Sequence, residues 1–321
     1  MSKKVGRTIR KTDKFPSTIY ILYGLNDGRL AIGGNKSLLI YNMKTYKIDI
    51  NINLKNEGRV QEIYQFKDNK LFYSTFRSET EGPWVDDVVY NFLIELEDKC
   101  YINRTNILPK NSRPNIIYEC LDNTVLVGRY YEGQNNCFYE RVEKWGKKEN
   151  GNYQKISRLE TYYKIDYLLL LKNKNFVILN QDYLFFHKSS TFQILRKEKL
   201  NDKTKKMSLL NNNIMLLGSE NKVTFYNYRQ FKKVGKISCS YPLVKIYINK
   251  NKLFIGESEE IDYKNKEKIP KCRIIEFSFD ENGNYKQIYI FYKPQKIIKD
   301  FTQVKDGRLI TCSYENIKIW S

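Results

Sequence analysis

The stretch IIKDFTQVKDGRLITCSYENIKIWS, residues 297–321, contains three short apolar segments separated by an Asp-Gly turn and a polar corner. Residues 18–43 repeat this pattern, with DGRL at residues 27–30 in the place of DGRL at residues 306–309. Asp and Gly tolerate the positive φ angles that tight hairpin turns require. We therefore predict that both stretches are copies of one unit of three β-strands.

The same unit recurs along the sequence. Turns rich in Asn, Asp and Gly lie between pairs of apolar segments, a third segment follows in seven units, and a fourth follows in the first six. No segment shows the 3.6-residue period of an amphipathic helix. Units of about forty to fifty residues with four strands each are typical of propeller blades. The predicted blades cover residues 17–54, 59–106, 114–159, 164–200, 205–237, 243–291 and 297–321.

The last predicted blade lacks a fourth strand, and the sequence contains one strand to spare. This strand, VGRTIRKT at residues 5–12, precedes the first blade. If it pairs with the outer edge of the last blade, all seven blades have four strands. We therefore expect an all-β, seven-bladed β-propeller of four-stranded antiparallel blades, closed by the N-terminal strand. We expect residues 1–321 to form a single domain.

Three stretches carry a resemblance to a known family. They are DGRLAIGGNKSLLIYN at residues 27–42, NNIMLLGSENKVTFYN at residues 212–227 and DGRLITCSYENIKIW at residues 306–320. In each, a small residue pair or its equivalent precedes a polar corner and a strand that ends in an aromatic residue. Across essentially the whole chain, the sequence resembles the WD40-repeat-like seven-bladed propellers.

The resemblance concerns the blade architecture more than the family's polar motifs. Trp320 occupies the Trp position of the family, and we interpret Tyr41, Phe186 and Tyr226 as substitutes for it. The family's Gly-His pair is absent. With His187 as the single histidine, the usual His-Ser-Asp-Trp hydrogen-bond network cannot form.

The resemblance implies a non-catalytic platform whose loops hold one or more partner proteins. The sequence contains no G-x-x-x-x-G-K-[ST], G-x-G-x-x-G or G-x-S-x-G motif. We interpret His187 as a structural or solvent-facing residue, and the acidic pairs Asp86-Asp87 and Glu259-Glu260 as parts of solvated loops. We expect no catalytic residue, no cofactor and no metal site.

Long connections between second and third strands supply the candidate binding residues. They cover residues 77–87, 131–137 and 257–271, and with WD40-like connectivity they would emerge on one face together with the loops between blades. Trp84 is either an anchor for a protein partner or packs back on its own blade. Trp145 is expected to pack within its blade. The candidate partner-binding residues are Trp84, Asp86, Asp87, Tyr131, Glu259, Glu260 and Tyr263.

The six cysteines are widely spaced, and none forms a C-x-x-C pair. Neither a disulfide framework nor a zinc site has the spacing it needs. We expect buried free thiols within strands, because a free cysteine packs as a small hydrophobic residue.

The net charge of +20 favours nucleic acid, acidic membranes or acidic proteins as partners. However, lysine outnumbers arginine three to one and asparagine is abundant, as expected for an AT-rich genome. We therefore interpret the charge as a solvated surface of biased composition. The alternative is a basic RNA- or ribonucleoprotein-associated propeller, which the mixed Arg and aromatic residues at 129–141 support only weakly.

The sequence contains no feature that predicts insertion into a membrane. No apolar run approaches the length of about 18 residues that spans a bilayer, and no signal-peptide pattern is present. The Phe-Arg-Arg-Gly signature of phosphoinositide-binding propellers is also absent. We expect a cytoplasmic protein that is a monomeric propeller within a complex.

Overall fold

The structure, a computed structural model, is all-β in the residues that it describes. Its strands form seven sheets, and these are the blades of a seven-bladed β-propeller. The predicted fold class is therefore confirmed. No helix that could cross a membrane occurs in the described part of the chain. The described residues are 4–5, 8–11, 15, 18–81, 84–97, 100–106, 113–120, 122, 124–132, 138–149, 153–161, 165–180, 182–259, 271–280, 284–292, 297–314 and 316–320.

The chain divides into two compact units. The first unit comprises Thr12–Ile165 and Thr302–Ile317, and the second comprises Met1–Lys11, Asp166–Phe301 and Lys318–Ser321. Each complete blade is a four-stranded antiparallel sheet in which sequence neighbours pair.

Three complete blades lie in the first unit. Blade 1 contains β3 (Ile19–Gly24), β4 (Leu30–Gly34), β5 (Ser37–Asn42) and β6 (Lys47–Asn53). Blade 2 contains β7 (Arg59–Gln65), β8 (Leu71–Glu81), β9 (Trp84–Leu96) and β10 (Tyr101–Asn106). Blade 3 contains β11 (Arg113–Glu119), β12 (Thr124–Glu132), β13 (Phe138–Lys147) and β14 (Tyr153–Thr161).

Three further blades lie in the second unit. Blade 4 contains β15 (Tyr167–Leu170), β16 (Phe176–Asn180), β17 (Tyr183–His187) and β18 (Ile194–Lys199). Blade 5 contains β19 (Lys206–Leu209), β20 (Ile214–Ser219), β21 (Lys222–Asn227) and β22 (Lys232–Ser238). Blade 6 contains β23 (Leu243–Asn249), β24 (Lys252–Ser258), β25 (Cys272–Phe279) and β26 (Tyr285–Tyr292).

Blade 7 combines strands from both ends of the sequence. Its sheet order is β2 (Thr8–Lys11), β29 (Ile317–Trp320), β28 (Leu309–Cys312) and β27 (Asp300–Gln303). β2 is antiparallel to β29, with Thr8 opposite Trp320. Residues 5–12 were predicted as one strand, which is wrong in detail, because β1 (Lys4–Val5) pairs in parallel with β26 of blade 6. The N-terminal segment therefore contributes to two blades.

Burial follows the position of a strand within its blade. Middle strands such as β4 and β20 are buried at every residue, which explains their continuous apolar sequences. Outer strands such as β18 are largely exposed and rich in Lys and Arg, which protects a free sheet edge from pairing with other chains. The four aromatic residues interpreted at the Trp position of the repeat are all buried: Tyr41, Phe186, Tyr226 and Trp320.

Candidate interaction surfaces

The hairpin of β8 and β9 extends well beyond the rest of blade 2. β7 pairs with β8 only as far as Phe76, and β10 pairs with β9 only as far as Phe92. Beyond these points, five residue pairs continue between β8 and β9, from Arg77 opposite Val88 to Glu81 opposite Trp84. The prediction that residues 77–87 form a loop is therefore wrong, because their backbone continues the ladder as a two-stranded ribbon.

The ribbon places the predicted acidic residues at fixed positions. Asp86 stands opposite Glu79, and Asp87 stands opposite Ser78. Trp84 begins β9 and stands opposite Glu81 in the last pair of this ladder. The ribbon therefore combines a terminal Trp with opposed acidic residues.

The base of the ribbon is held by specific contacts. Gly58 has a φ of 85°, and a Cβ atom there would lie 2.1 Å from the carbonyl oxygen of Phe76. Arg77 Nη1 donates to the carbonyl oxygen of Asn56 at 2.8 Å. The Arg59 guanidinium lies over the ring of Phe76, 5.0 Å from its centroid. The ribbon thus emerges from an ordered segment of blades 1 and 2.

Tyr131 also lies in a strand rather than in the predicted loop of residues 131–137. It belongs to β12 and stands opposite Tyr139 of β13. This pair lies one residue beyond the last pair between β11 and β12, Arg113 with Tyr130. Residues 133–137, the remainder of the predicted loop, lie outside the described residues. In blades 2 and 3, therefore, a middle hairpin projects beyond the inner strand.

The third predicted insertion begins with an extension of the β24–β25 hairpin in the second unit. The Glu259 amide donates to the Lys271 carbonyl oxygen at 2.8 Å, and the Lys271 amide donates to Glu259 Oε2 at 3.1 Å. Glu259 is half-buried and is the last described residue at the start of this connection. The other predicted residues here, Glu260 and Tyr263, lie outside the described residues.

The Asp-Gly-Arg turns have a role that the sequence did not reveal. Asp27 Oδ2 accepts from Arg29 Nε at 2.8 Å, and Arg29 Nη1 donates to the carbonyl oxygen of Glu97 at 2.8 Å. Arg29 in the first turn of blade 1 thus reaches the hairpin between the third and fourth strands of blade 2. A groove of about 630 Å³ beside this turn has both acidic and basic lining residues, including Asp49 and Lys44.

The single histidine is structural. His187 is fully buried, its ring stacks on Phe176 at a centroid distance of 4.9 Å, and its Nδ1 lies 2.9 Å from the carbonyl oxygen of Phe192. Nδ1 must carry the proton in this hydrogen bond, because a carbonyl oxygen can only accept. Burial lowers the pKa of His187, so the imidazole is neutral at physiological pH.

The cysteines are free thiols in the described residues, but only some are buried. Cys120, Cys272 and Cys312 are buried, whereas Cys239 is half-buried and Cys100 is exposed in the turn before β10. The prediction of buried thiols within strands is therefore wrong for the last two, and Cys120, although buried, lies just after β11 and not within it. Burial, together with the nearby Glu257 carboxylate, raises the pKa of Cys239 to about 12, which disfavours the reactive thiolate. Cys137 lies outside the described residues.

The described residues contain no cluster of side chains that indicates a metal site. No group of three or more His, Cys, Asp or Glu in these residues could hold a metal ion. Trp145 is buried and donates from Nε1 to Glu143 Oε2 at 3.1 Å, so the prediction that it packs within its blade is confirmed.

Comparisons with known proteins support the fold. No family model matches the sequence, and no curated protein matches it. Among solved structures, a chain of a mitotic checkpoint complex is 11% identical, with a TM-score of 0.69 over 98% of this chain and 91% of that chain. The Neurospora crassa Pan2 WD40 domain is 10% identical, with a TM-score of 0.67 over 100% of this chain and 96% of that chain. At this level of identity the similarity concerns the fold, which is that of a seven-bladed β-propeller.

Proposed function

We propose that this propeller is a non-catalytic platform for protein–protein interaction, and that the ribbon of blade 2 is its principal binding element. The observation that carries this proposal is the extension of β8 and β9 by five residue pairs beyond β7. These pairs lie beyond the last pair of β8 with β7 and the last pair of β9 with β10. A projecting ribbon with Trp84 near its end suits the insertion of an aromatic anchor into a partner pocket.

The acidic residues of the ribbon favour a partner with a basic patch. Asp86, Asp87, Glu79 and Glu81 lie within one short segment of a chain whose net charge is +20. A basic partner would complement this concentration of acidic residues. Tyr131 in the neighbouring blade, and Glu259, Glu260 and Tyr263 in the second unit, are secondary candidates within this proposal.

The similarity of fold supports a role within a larger complex. Structures of similar fold include a chain of a mitotic checkpoint complex. We infer that this chain also works as a monomeric propeller within a larger complex, and that it does so in the cytoplasm. It requires no cofactor for this role.

A crosslinking experiment in cells tests the proposal. A photoreactive amino acid replaces Thr80 or, as a matched control, Thr45 in the exposed hairpin of blade 1. We expect a discrete crosslinked protein from position 80, and loss of that band when Trp84→Ala and Asp86→Ser are added. Equal bands from both positions, or a band from position 80 that survives both substitutions, would overturn the assignment of the ribbon.

A further inference from the structure

One end of blades 4, 5 and 6 carries exposed cations without ion-pair partners in the described residues. This end is formed by the turns between first and second strands and by the hairpins between third and fourth strands. We call it the basic end. Among the described residues, Asp280 is the acidic residue at this end. Residues 281–283 lie outside the described residues. The basic end consists of Lys172, Lys174, Lys188, Arg229, Lys232 and Lys250.

The corresponding end of the first unit differs in its acidic residues. In its turns between first and second strands, each aspartate forms an ion pair with a nearby lysine or arginine, at distances from 2.5 to 3.1 Å. These four aspartates offset part of the positive charge at this end, although several lysines there, such as Lys44, Lys148 and Lys305, form no ion pair in the described residues. The pairs are Asp27–Arg29, Asp68–Lys147, Asp122–Lys144 and Asp306–Arg308.

Asparagine replaces these aspartates in blades 4 and 5. Asn173 Oδ1 accepts from the amide of Asn175 at 3.1 Å, and Asn211 Oδ1 accepts from the amide of Asn213 at 2.9 Å. Asp27 Oδ1 makes the same contact with the Arg29 amide in blade 1 at 2.9 Å. The amide side chain therefore preserves the turn but removes its negative charge, and in blade 4 this leaves Lys172 and Lys174 without an acidic residue in their turn.

Two of the lysines occupy backbone positions that are unfavourable for them. Lys174 has a φ of 65° and Lys250 a φ of 53°, in turns where Gly28 and Gly307 have φ angles of 93° and 91°. The left-handed region costs a residue with a Cβ atom about 1 to 2 kcal/mol, which glycine avoids. Such strain points to a role for the side chain outside the fold.

The cations lie on adjacent blades that pack together. Blades 4 and 5 are joined by the rings of Phe186 and Phe231, 5.3 Å apart, and Phe231 lies in the same hairpin as Arg229 and Lys232. Blades 5 and 6 are joined by the stacked rings of Phe225 and Tyr285, 5.0 Å apart.

We propose that the basic end binds the phosphate backbone of a nucleic acid. Five of its six cations are lysines, which bind phosphates as point charges, and a cluster of exposed cations on one end of a domain is the electrostatic pattern typical of contact with a nucleic-acid backbone. The exposed amides of Asn212 and Asn251 add side-chain donors of the kind that contact phosphate and sugar. This inference concerns residues of the second unit and is independent of the ribbon.

Aromatic rings near the basic end are engaged within the blades. Tyr228 is buried, Phe231 packs against Phe186 at 5.3 Å, and Tyr285 stacks on Phe225. Bases therefore find no free ring for stacking among these residues, so recognition falls on the backbone and is independent of nucleotide sequence.

Fluorescence anisotropy with a labelled DNA duplex and the full chain tests the proposal. If all six cations contact phosphates, the logarithm of the affinity falls with the logarithm of salt concentration with a slope of about −5. The variant Lys172→Ser/Lys188→Ser/Arg229→Ser should bind at least about tenfold more weakly, with a slope shallower by about 3. The control Lys36→Ser/Lys55→Ser/Lys203→Ser has the same net charge and should bind like the wild type.

Lys174→Gly and Lys250→Gly separate binding from folding. Each should raise the urea midpoint by relieving the backbone strain, yet weaken binding to the duplex. The proposal would be overturned if the control triple variant lost as much affinity as the basic-end triple variant. Duplex binding that is unchanged in the basic-end variant would also overturn it, as would binding to vesicles of anionic lipid or to polyglutamate in place of the duplex.

Discussion

The guanidinium of Arg308 donates from Nη2 to the backbone carbonyl oxygen of Met43 at 2.9 Å. Nη1 of the same group lies 2.8 Å from the Tyr46 hydroxyl, and Asp306 accepts from Nε at 2.9 Å. The last Asp-Gly-Arg turn therefore holds the hairpin between the third and fourth strands of blade 1. Arg29 makes the corresponding contact with Glu97 in blade 2.

Replacing Arg308 should loosen this junction. We expect Arg308→Ala to lower the free energy of unfolding by about 1 to 2 kcal/mol, because the contacts are charge-assisted but partly exposed. Arg308→Lys should recover only part of the loss, since an ammonium group cannot reproduce the fork. Urea unfolding measures both effects. Lys44→Ala, an exposed change in the same hairpin, serves as the control, and an equal loss in that variant would contradict the assigned role of Arg308.

Gly58 and Gly28 allow backbone strain to be separated from steric clash. Both have positive φ, but a Cβ atom at Gly58 would lie 2.1 Å from the Phe76 oxygen, whereas at Gly28 the nearest atom is 4.0 Å away. Gly28→Ala should cost only the left-handed conformation, about 1 to 2 kcal/mol. Gly58→Ala should cost clearly more and disturb the base of the ribbon. Thermal unfolding of the two variants gives the comparison, and equal melting temperatures would show that the contact with Phe76 relaxes freely.

His187 should make the protein less stable in mild acid. Burial lowers its pKa in the folded chain below the ordinary value of 6.5, so the unfolded chain binds this proton more readily. The stabilisation is therefore complete above about pH 7 and is lost as the pH falls through 6.5 towards the folded pKa. His187→Gln, which can still donate to the Phe192 oxygen, should flatten the pH dependence in this window.

Free energies of unfolding measured at several pH values provide the test of His187. Carboxylates act in a separate, more acidic range. Partial burial alone would raise the pKa of Asp122, but hydrogen bonds from Lys144 and Thr124 lower it to about 2. An identical pH profile for wild type and His187→Gln between about pH 5 and 7 would argue against the role of the histidine.

Removal of residues 1–11 should expose the outer edges of two blades. β2 covers β29, and β1 covers β26, where Phe291 packs against Trp320 at a ring distance of 5.8 Å. We expect faster amide hydrogen exchange in both β29 and β26, together with a lower melting temperature. Removal of residues 1–3 alone is the control. Exchange that changes in β29 but not in β26 would contradict the pairing of β1.

Strand positions were predictable because each blade repeats the same apolar segments around Asn- or Asp-rich turns. The ribbon was missed because Glu79, Asp86 and the Gly82-Pro83 dipeptide are typical of loops. Thr80, Val85 and Val88 favour strands, but a ladder of backbone hydrogen bonds between two polar segments leaves little trace in composition. The N-terminal segment was assigned one strand for a similar reason. Its pairing with two different blades depends on tertiary contacts, which the local sequence does not indicate.

The sequence could predict which residues are candidates for interaction, but not how they are arranged. Trp84 and Asp86 stand out by residue type, but their register in the ribbon depends on cross-strand pairing. The contacts of Arg308 join residues 265 positions apart in the sequence, so no local pattern indicates them. The basic end was also hidden, because the replacement of aspartate by asparagine in a turn acquires meaning only when the neighbouring charges are located.

The Asp-Gly-Arg contacts affect how pieces of this protein could be exchanged. A segment cut at the boundaries of blade 1 would leave Arg308 without Met43 and Arg29 without Glu97. The boundaries of a module suited to grafting or circular permutation therefore differ from the boundaries of the four-stranded sheet. It begins at a turn between first and second strands and ends after the third-to-fourth hairpin of the following blade, so that each arginine travels with its acceptor.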